Sequence, residues 1–280
     1  MNFSTLRHVI PSAMLLVLAS CSVPQATETT SATEDTIKIG GSSEGYEVLE
    51  LLTEAYTTTV TDVEFEYFPP SQTDGGIESV KAAAVDIGAV SREIDSVETG
   101  ETLVYQPLVK TPLVIAVHES VTGVTNISAE QIKAIYSGEV SNWQTLGGPD
   151  AEIIVFDLAE DENEKRVLRE TYLGADLEIT PNAVAFAEDD ELLETAAITE
   201  FSIAALPLEE DLNELPMAIL SIDGVEPTTE NLQSGVYPMA LSLGVVLPAT
   251  PSDQTESFIE FVESEAGQAV LTEADYVLAK

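Results

Sequence analysis

The chain has 280 residues and carries 50 acidic side chains against 10 basic ones, which gives a formal net charge of −40. This excess excludes binding to a nucleic-acid backbone and electrostatic docking on anionic lipid, because both need clustered Lys and Arg side chains. A hydrophobic fraction of 44% and a mean hydropathy of +0.12 also exclude a disordered acidic polymer, so we expect a folded core beneath an acidic surface.

The first 20 residues have the pattern of an export signal. Arg7 supplies a positive charge, and the apolar run over residues 9–19 is too short to cross a bilayer. Small residues then precede Cys21, an arrangement that resembles the lipobox of bacterial lipoproteins and implies a lipid anchor on this cysteine. The alternative for Cys21, the only cysteine of the chain, is a buried free thiol. We therefore interpret residues 1–20 as a lipoprotein signal peptide and residues 21–35 as a flexible tether rich in Ser, Thr and Glu.

Segments with strand and helix periodicity alternate from residue 36 onward. The predicted strands cover residues 36–39, 63–68, 86–90, 113–117, 153–156, 201–206 and 239–247. The predicted helices cover residues 46–56, 77–84, 129–136, 162–173 and 255–271. Gly75 and Gly76 predict a turn before the second helix, and Ser128 with Gln131 predicts a capping box at the start of the third. The order favours an α/β fold with mostly parallel sheets and covering helices, arranged as two lobes.

A series of short motifs runs through this part of the chain. They are Gly-Ser-Ser at 41–43, Asp-Ile-Gly-Ala-Val-Ser-Arg at 86–92, and the segments 132–143, 220–228, 234–238 and 258–268. Together they resemble the phosphate-binding-protein-like family of ABC-transporter substrate-binding proteins, which have the type 2 periplasmic-binding-protein fold. The resemblance implies a two-lobed Venus flytrap, each lobe a mostly parallel sheet covered by helices, that closes over a ligand. We assign residues 36–118 and 217–280 to lobe 1 and residues 119–216 to lobe 2.

The resemblance also implies an oxyanion site in the cleft, built from helix N-termini and hydroxyl groups. The residues that match the family's site are Ser42, Ser43, Thr73, Ser91 and Arg92. For the arginine, the alternative is a surface ion pair. The implied partners are a small phosphate-like oxyanion, the subunits of an ABC permease and, through the lipid anchor, a membrane, with no nucleic acid. We expect no cofactor and no metal site, because one histidine and no cysteine remain in the folded part.

Two positions depart from the family pattern. Glu44 stands where the family commonly has threonine, and four of the five residues 160–164 are acidic where the family has an arginine followed by Ser-Gly-Thr. A carboxylate about 4 Å from an anion costs roughly 4 kcal/mol at an effective dielectric constant near 20. The alternatives are that these acids cap their helices, that the ligand has changed, or that the site is lost. We expect phosphate binding weaker than the family pattern implies and dependent mainly on lobe 1.

One motif suggests catalysis. Gly41, Ser43 and Gly45 fit G-x-S-x-G between a strand and a helix, as in a nucleophile elbow. The triad order needs a late histidine, but none follows His118, so we expect a protein that is not an enzyme. The acidic run at residues 188–191 lacks the spacing of a calcium loop and is interpreted as a solvated face.

These observations favour a membrane-tethered substrate-binding lipoprotein of an ABC importer, placed in the cell envelope and facing the periplasm or the exterior. The alternative is a non-transport interaction or sensory lipoprotein that keeps the flytrap fold but has lost phosphate recognition. The net charge would repel an anionic ligand. At about 1 M salt the Debye length falls to about 3 Å, so this repulsion is confined to near contacts. We therefore expect a halophilic protein whose acidic surface serves solubility.

Overall fold

A computed structural model of the chain describes residues 35–187, 189–208, 212 and 214–279. The predicted signal peptide, Cys21 and the predicted tether up to residue 34 lie outside the described residues. Within the described part, no helix is both long enough and apolar enough to cross a membrane.

Eleven strands and nine helices, with one 3₁₀ and one π-helical turn, are described. In chain order they are β1 Asp35–Gly41, α1 Ser43–Thr57, β2 Val63–Tyr67, α2 Gln72–Lys81, β3 Ile87–Val90, α3 Ser96–Thr99, β4 Leu103–His118, β5 Asn126–Ile127, α4 Ala129–Tyr136, the 3₁₀ turn Trp143–Leu146, β6 Ile154–Leu158, α5 Asn163–Leu168, the π turn Arg169–Leu173, β7 Val184–Phe186, α6 Asp189–Ile198, β8 Ser202–Pro207, β9 Met217–Ile222, α7 Thr229–Gln233, β10 Ala240–Pro248, α8 Asp253–Glu263, α9 Glu265–Glu273 and β11 Val277–Leu278.

The strands join into a central sheet with the order β2-β1-β3-β10-β4-β8-β6-β7. The pairs β1–β2, β1–β3, β6–β7 and β6–β8 are parallel. The long strand β4 changes partners along its length, because residues 103–112 pair with β10 and residues 113–118 pair with β8 and β9. Helices cover the sheet, so the predicted α/β class is confirmed.

Apolar strand residues form the core between sheet and helices. All four residues of β3 are buried, and so is the predicted apolar run at residues 113–117 inside β4. A strand that lies in the middle of a sheet and is covered on both faces needs such a continuous apolar run. Burial on both faces therefore explains why this segment was recognisable from sequence.

Local capping signals set several helix ends. The predicted capping box at α4 is confirmed, since Ser128 Oγ accepts from the backbone N–H of Gln131 and Gln131 Oε1 accepts from that of Ser128. The single helix predicted over residues 255–271 is wrong. Ser264 has an extended backbone (ψ 162°) that ends α8, and its hydroxyl caps α9 through the N–H of Gly267.

The turn predicted at Gly75 and Gly76 is also wrong, because both lie inside α2, which begins at Gln72. A Cβ added to Gly76 would lie 2.8 Å from the carbonyl oxygen of Ala89 and 3.0 Å from the Cα of Gly41. Glycine therefore serves close packing here. It allows the first turns of α2 to approach the backbones of β1 and β3.

Candidate functional site

The turn between β1 and α1 holds a hydroxyl and a carboxylate in contact. Ser42 caps α1, accepting from the N–H of Gly45 at 3.4 Å, and its Oγ donates to Glu44 Oε2 at 2.5 Å. The half-buried Ser43 lies at the helix start, with its Oγ 3.5 Å from the same carboxylate oxygen. Ser42 and Glu44 are both buried. The Glu44 side chain therefore turns inward, against the hydroxyl groups of this turn.

A second pair of hydroxyls lies where α2 starts and β3 ends. Thr73 and Ser91 are buried, their side-chain oxygens are 3.3 Å apart, and the Ser91 N–H donates to Thr73 Oγ1 at 3.0 Å. Asn163, the first residue of α5, contacts this pair although it is 72 residues or more away in the chain. Its Nδ2 donates to Thr73 Oγ1 at 3.1 Å and also to Ser91 Oγ. Nearby, Gln72 Nε2 donates to Glu162 Oε1 at 2.8 Å, so the start of α5 contacts α2 directly.

Three buried carboxylates meet beside these hydroxyls, and we call Glu44, Glu162 and Glu164 the carboxylate cluster. One oxygen from each lies within 4.8 Å of the other two. Two charges at that separation repel by roughly 3 kcal/mol at an effective dielectric constant near 20. Burial, and then the charge of Glu44, raise the pKa of Glu164 well above its ordinary value. The arrangement therefore favours uptake of a proton or a cation.

Glu164 is the most enclosed member of the carboxylate cluster. Its relative exposure is 0%, and both carboxylate oxygens are buried without a hydrogen-bond partner among the described residues. Helix capping does not account for these acids. Ser42 is the residue that caps α1, and Glu162 stands at the N-cap position of α5 without a side-chain capping bond.

The acidic run at residues 188–191 is not simply a solvated face. Asp189, in the first turn of α6, is half-buried. Desolvation by burial, and then the charge of Glu44, raise its pKa to about 7. The interpretation as a solvated face is therefore wrong for Asp189, because the fold brings its carboxyl group towards the carboxylate cluster.

Arg92 takes part in an ion pair. Its guanidinium donates to both oxygens of Glu98, at 2.6 and 3.0 Å, and to Asp74 Oδ1 at 2.8 Å. The hydrogen bonds to Glu98, more than those to Asp74, raise the pKa of the arginine. The contacts of Arg92 are thus those of the ion-pair alternative. The role of Arg92 in binding a ligand stays a prediction.

The cations of α5 and the π turn also pair with acids. Lys165 is buried and donates to both oxygens of Asp157 at 2.5 Å, while the Arg169 guanidinium donates to both oxygens of Glu160 at 2.6 Å. Glu160 has an exposed side chain. Within the acidic segment 160–164, Glu160 therefore faces solvent while the carboxylate cluster takes the other two glutamates.

The candidate nucleophile and base have separate partners. Among the described residues, the Ser43 hydroxyl contacts Glu44, and His118 Nδ1 lies 2.8 Å from Ser120 Oγ. These contacts do not pair His118 with Ser43, as the nucleophile and base of a serine hydrolase would be paired. The G-x-S-x-G match reflects a strand-to-helix turn with small residues.

The site contains residues that sequence reasoning missed. Asn163 and Gln72 make the contacts between α5 and the α2–β3 region, and neither was selected from the sequence. Their only sequence signal is position, since Asn163 lies within the segment 160–164 that departs from the family pattern and Gln72 directly precedes Thr73. The three hydroxyls of Ser42, Thr73 and Ser91 are all buried there, as the resemblance implied.

Comparison with known proteins places this chain in a wider group. A family model described as a PBP superfamily domain matches residues 26–266. The phosphate-binding protein PstS of Bacillus subtilis is 26% identical over 208 residues, which cover 72% of this chain and 67% of that protein. PstS of Borreliella burgdorferi is 25% identical over 163 residues, or 55% of this chain and 58% of that protein. The chain thus spans less than two thirds of the latter relative's length.

Solved structures share the fold. A putative phosphate ABC transporter substrate-binding protein with bound phosphate from Clostridium perfringens superimposes with a TM-score of 0.77 at 24% identity, covering 88% of this chain and all of that one. An ABC-type phosphate transport receptor from Vibrio cholerae gives 0.66 at 20% identity over 88% and 100% of the chains. The effector-binding domain of QuiR, in complex with shikimate, gives 0.58 at 15% identity over 85% and 96%. The same architecture therefore serves different ligands.

Proposed function

This chain belongs to the PBP superfamily, and from that premise we propose that it is the substrate-binding component of an ABC importer. It captures a small oxyanion of the phosphate class between its lobes and delivers it to a membrane permease. The proposal includes a lipid anchor on Cys21 and a position in the cell envelope, facing the periplasm or the exterior. The relatives named above are binding proteins, which supports a role without catalysis. We further propose that the two lobes meet where β4 changes partners.

The observation that carries the proposal is the group of buried hydroxyls from Ser42, Thr73 and Ser91. They lie at the carboxyl ends of the parallel neighbours β1 and β3 and in the first turn of α2. Helix first turns also offer backbone N–H groups without helical partners, and an oxyanion needs both kinds of donor. In this conformation Glu44 and Asn163 bond to these hydroxyls, so a ligand has to displace them.

Calorimetry and thermal shift with the full chain test the proposal. Phosphate should raise the melting temperature by mass action, and Ser91→Ala should reduce the shift. We expect weak binding, because the carboxylate cluster repels an anion. The expectation of a weak site that depends on lobe 1 would be contradicted by a dissociation constant for phosphate in the micromolar range or lower that Arg92→Ala does not change.

A second candidate is a non-transport interaction or sensory lipoprotein that keeps the flytrap fold without phosphate recognition. It is favoured by one specific observation, namely that Asn163 from α5 donates to the hydroxyls of Thr73 and Ser91 in place of a ligand. A panel of phosphate, sulfate and other small anions separates the two candidates. No thermal shift with any member of the panel supports the second.

A further inference from the structure

We propose that Glu44, Glu162 and Glu164 bind a divalent cation that prefers oxygen ligands, with Ca²⁺ as the best match. The site goes beyond the proposed function, because cation binding at the carboxylate cluster does not require anion capture. All three ligands are carboxylates, and oxygen-only ligand sets suit Ca²⁺, Mg²⁺ or Mn²⁺ better than softer metals.

The geometry fits calcium with little rearrangement. The three oxygens lie within 4.8 Å of one another. An ion equidistant from oxygens at that separation would sit about 2.8 Å from each, and Ca²⁺–O bonds measure about 2.3–2.6 Å. Mg²⁺ needs about 2.0–2.1 Å and an octahedral arrangement, so the cluster would have to contract further.

The second observation is the state of Glu164. Its side chain is fully buried and neither oxygen has a hydrogen-bond partner among the described residues. A buried carboxylate without a partner is costly, because it has lost its water and gained nothing in exchange. One oxygen each of Glu44 and Glu162 lies within 4.8 Å of a Glu164 oxygen, so a cation between the three would supply the missing partner.

The two cations that pair with acids near the start of α5 are engaged outside the carboxylate cluster. Lys165, beside Glu164 in the chain, pairs with Asp157, and Arg169 pairs with Glu160. Within the described part of the chain, no ion pair joins a Lys or Arg side chain to Glu44 or Glu164. The charge of these two buried carboxylates is therefore left for a proton or an external cation to balance.

The site also joins distant parts of the fold. Glu44 lies in the first turn of α1, whereas Glu162 and Glu164 flank the start of α5. A cation held by all three would add to the contacts that Asn163 and Gln72 already make between these regions. Cation binding would then stabilise the packing of the start of α5 against α1 and the α2–β3 region.

The test is calorimetric titration of CaCl₂ into the full chain, stripped with EDTA and then freed of chelator. A background of about 0.5 M NaCl suppresses diffuse binding to the acidic surface, since the Debye length then falls well below 10 Å. Wild type should bind one Ca²⁺ at the carboxylate cluster. Glu164→Gln should weaken that binding about tenfold or more, because ligand charge tunes Ca²⁺ affinity.

Glu130→Gln is the matched control, because Glu130 is an exposed glutamate in the first turn of α4 and should leave the affinity unchanged. A thermal melting curve recorded in EDTA shows whether the Glu164→Gln variant is folded. If it is not folded, the Glu44→Gln variant is used in its place. No Ca²⁺ binding by wild type, or equal binding by wild type and the folded variant, overturns the proposal. The proposal would also be overturned if Ca²⁺ left the melting temperature of wild type unchanged and Glu164→Gln melted at a higher temperature than wild type. That result would favour a proton shared between the carboxylates. Running the anion panel in EDTA keeps this result separate from the proposed function.

Discussion

Replacing Asn163 with alanine should destabilise the protein by removing the contact between α5 and the α2–β3 region. The Asn163 amide donates to two buried hydroxyls, those of Thr73 and Ser91. A hydrogen bond contributes about 0.5–1.5 kcal/mol net, so losing two lowers the free energy of unfolding by about 1–3 kcal/mol. In a body of this size each kcal/mol lowers the melting temperature by about 2–4 °C.

Thermal melting followed by circular dichroism measures this change. Asn182→Ala is the matched control, because it removes the same amide from an exposed position. If Asn163→Ala melts within about 1 °C of Asn182→Ala, the contact contributes no net stability. The assignment of Asn163 as the residue that satisfies the site hydroxyls would then be refuted.

Three further predictions concern charge. Raising NaCl from about 0.1 M to about 1 M should raise the melting temperature, since the Debye length falls from about 10 Å to about 3 Å, and a marked fall would count against a halophilic surface. Lys165→Met should cost about 3–5 kcal/mol in urea unfolding, because it leaves the Asp157 carboxylate buried and unpaired. Lys81→Met, which breaks the exposed ion pair with Glu78, should lower the free energy of unfolding by no more than about 1 kcal/mol. Equal losses for Lys81→Met and Lys165→Met would contradict the distinction between an exposed and a buried ion pair. The hydrogen bonds from Arg92 lower the pKa of Glu98 below 4.5, so this pair stabilises the protein above that pH and the benefit is lost as pH falls through the lowered pKa. The melting temperatures of wild type and Arg92→Ala should therefore converge as the pH falls below 4.5, and a constant difference would refute this linkage.

Much of the local architecture follows from patterns in the sequence. The apolar run at residues 113–117 indicated a strand covered on both faces, and Ser128 with Gln131 indicated a helix start. The motif resemblance led to the correct fold class. These signals act over a few residues, where capping bonds and side-chain periodicity depend on nearest neighbours in the chain.

The site was predictable only in part. The resemblance selected Ser42, Thr73 and Ser91, whose side chains are all buried. The buried acids of the carboxylate cluster lie beside them. It could not show that Arg92 pairs with Glu98, because in the sequence both residues are indistinguishable from ordinary charged surface residues. The glycines of α2 were misassigned for a related reason, since the need for glycine at position 76 comes from the Ala89 carbonyl on another element.

The sequence alone determined that this is an acidic, folded α/β protein, because composition and periodic burial are properties of the chain itself, and the motif resemblance added the flytrap type. The tertiary structure decided what fills the candidate site. Asn163 meets Thr73 across 90 residues and Ser91 across 72, and the carboxylate cluster unites the starts of α1 and α5. Whether a glutamate faces solvent or a buried neighbour depends on how elements distant in the chain pack together, and no local pattern encodes that packing.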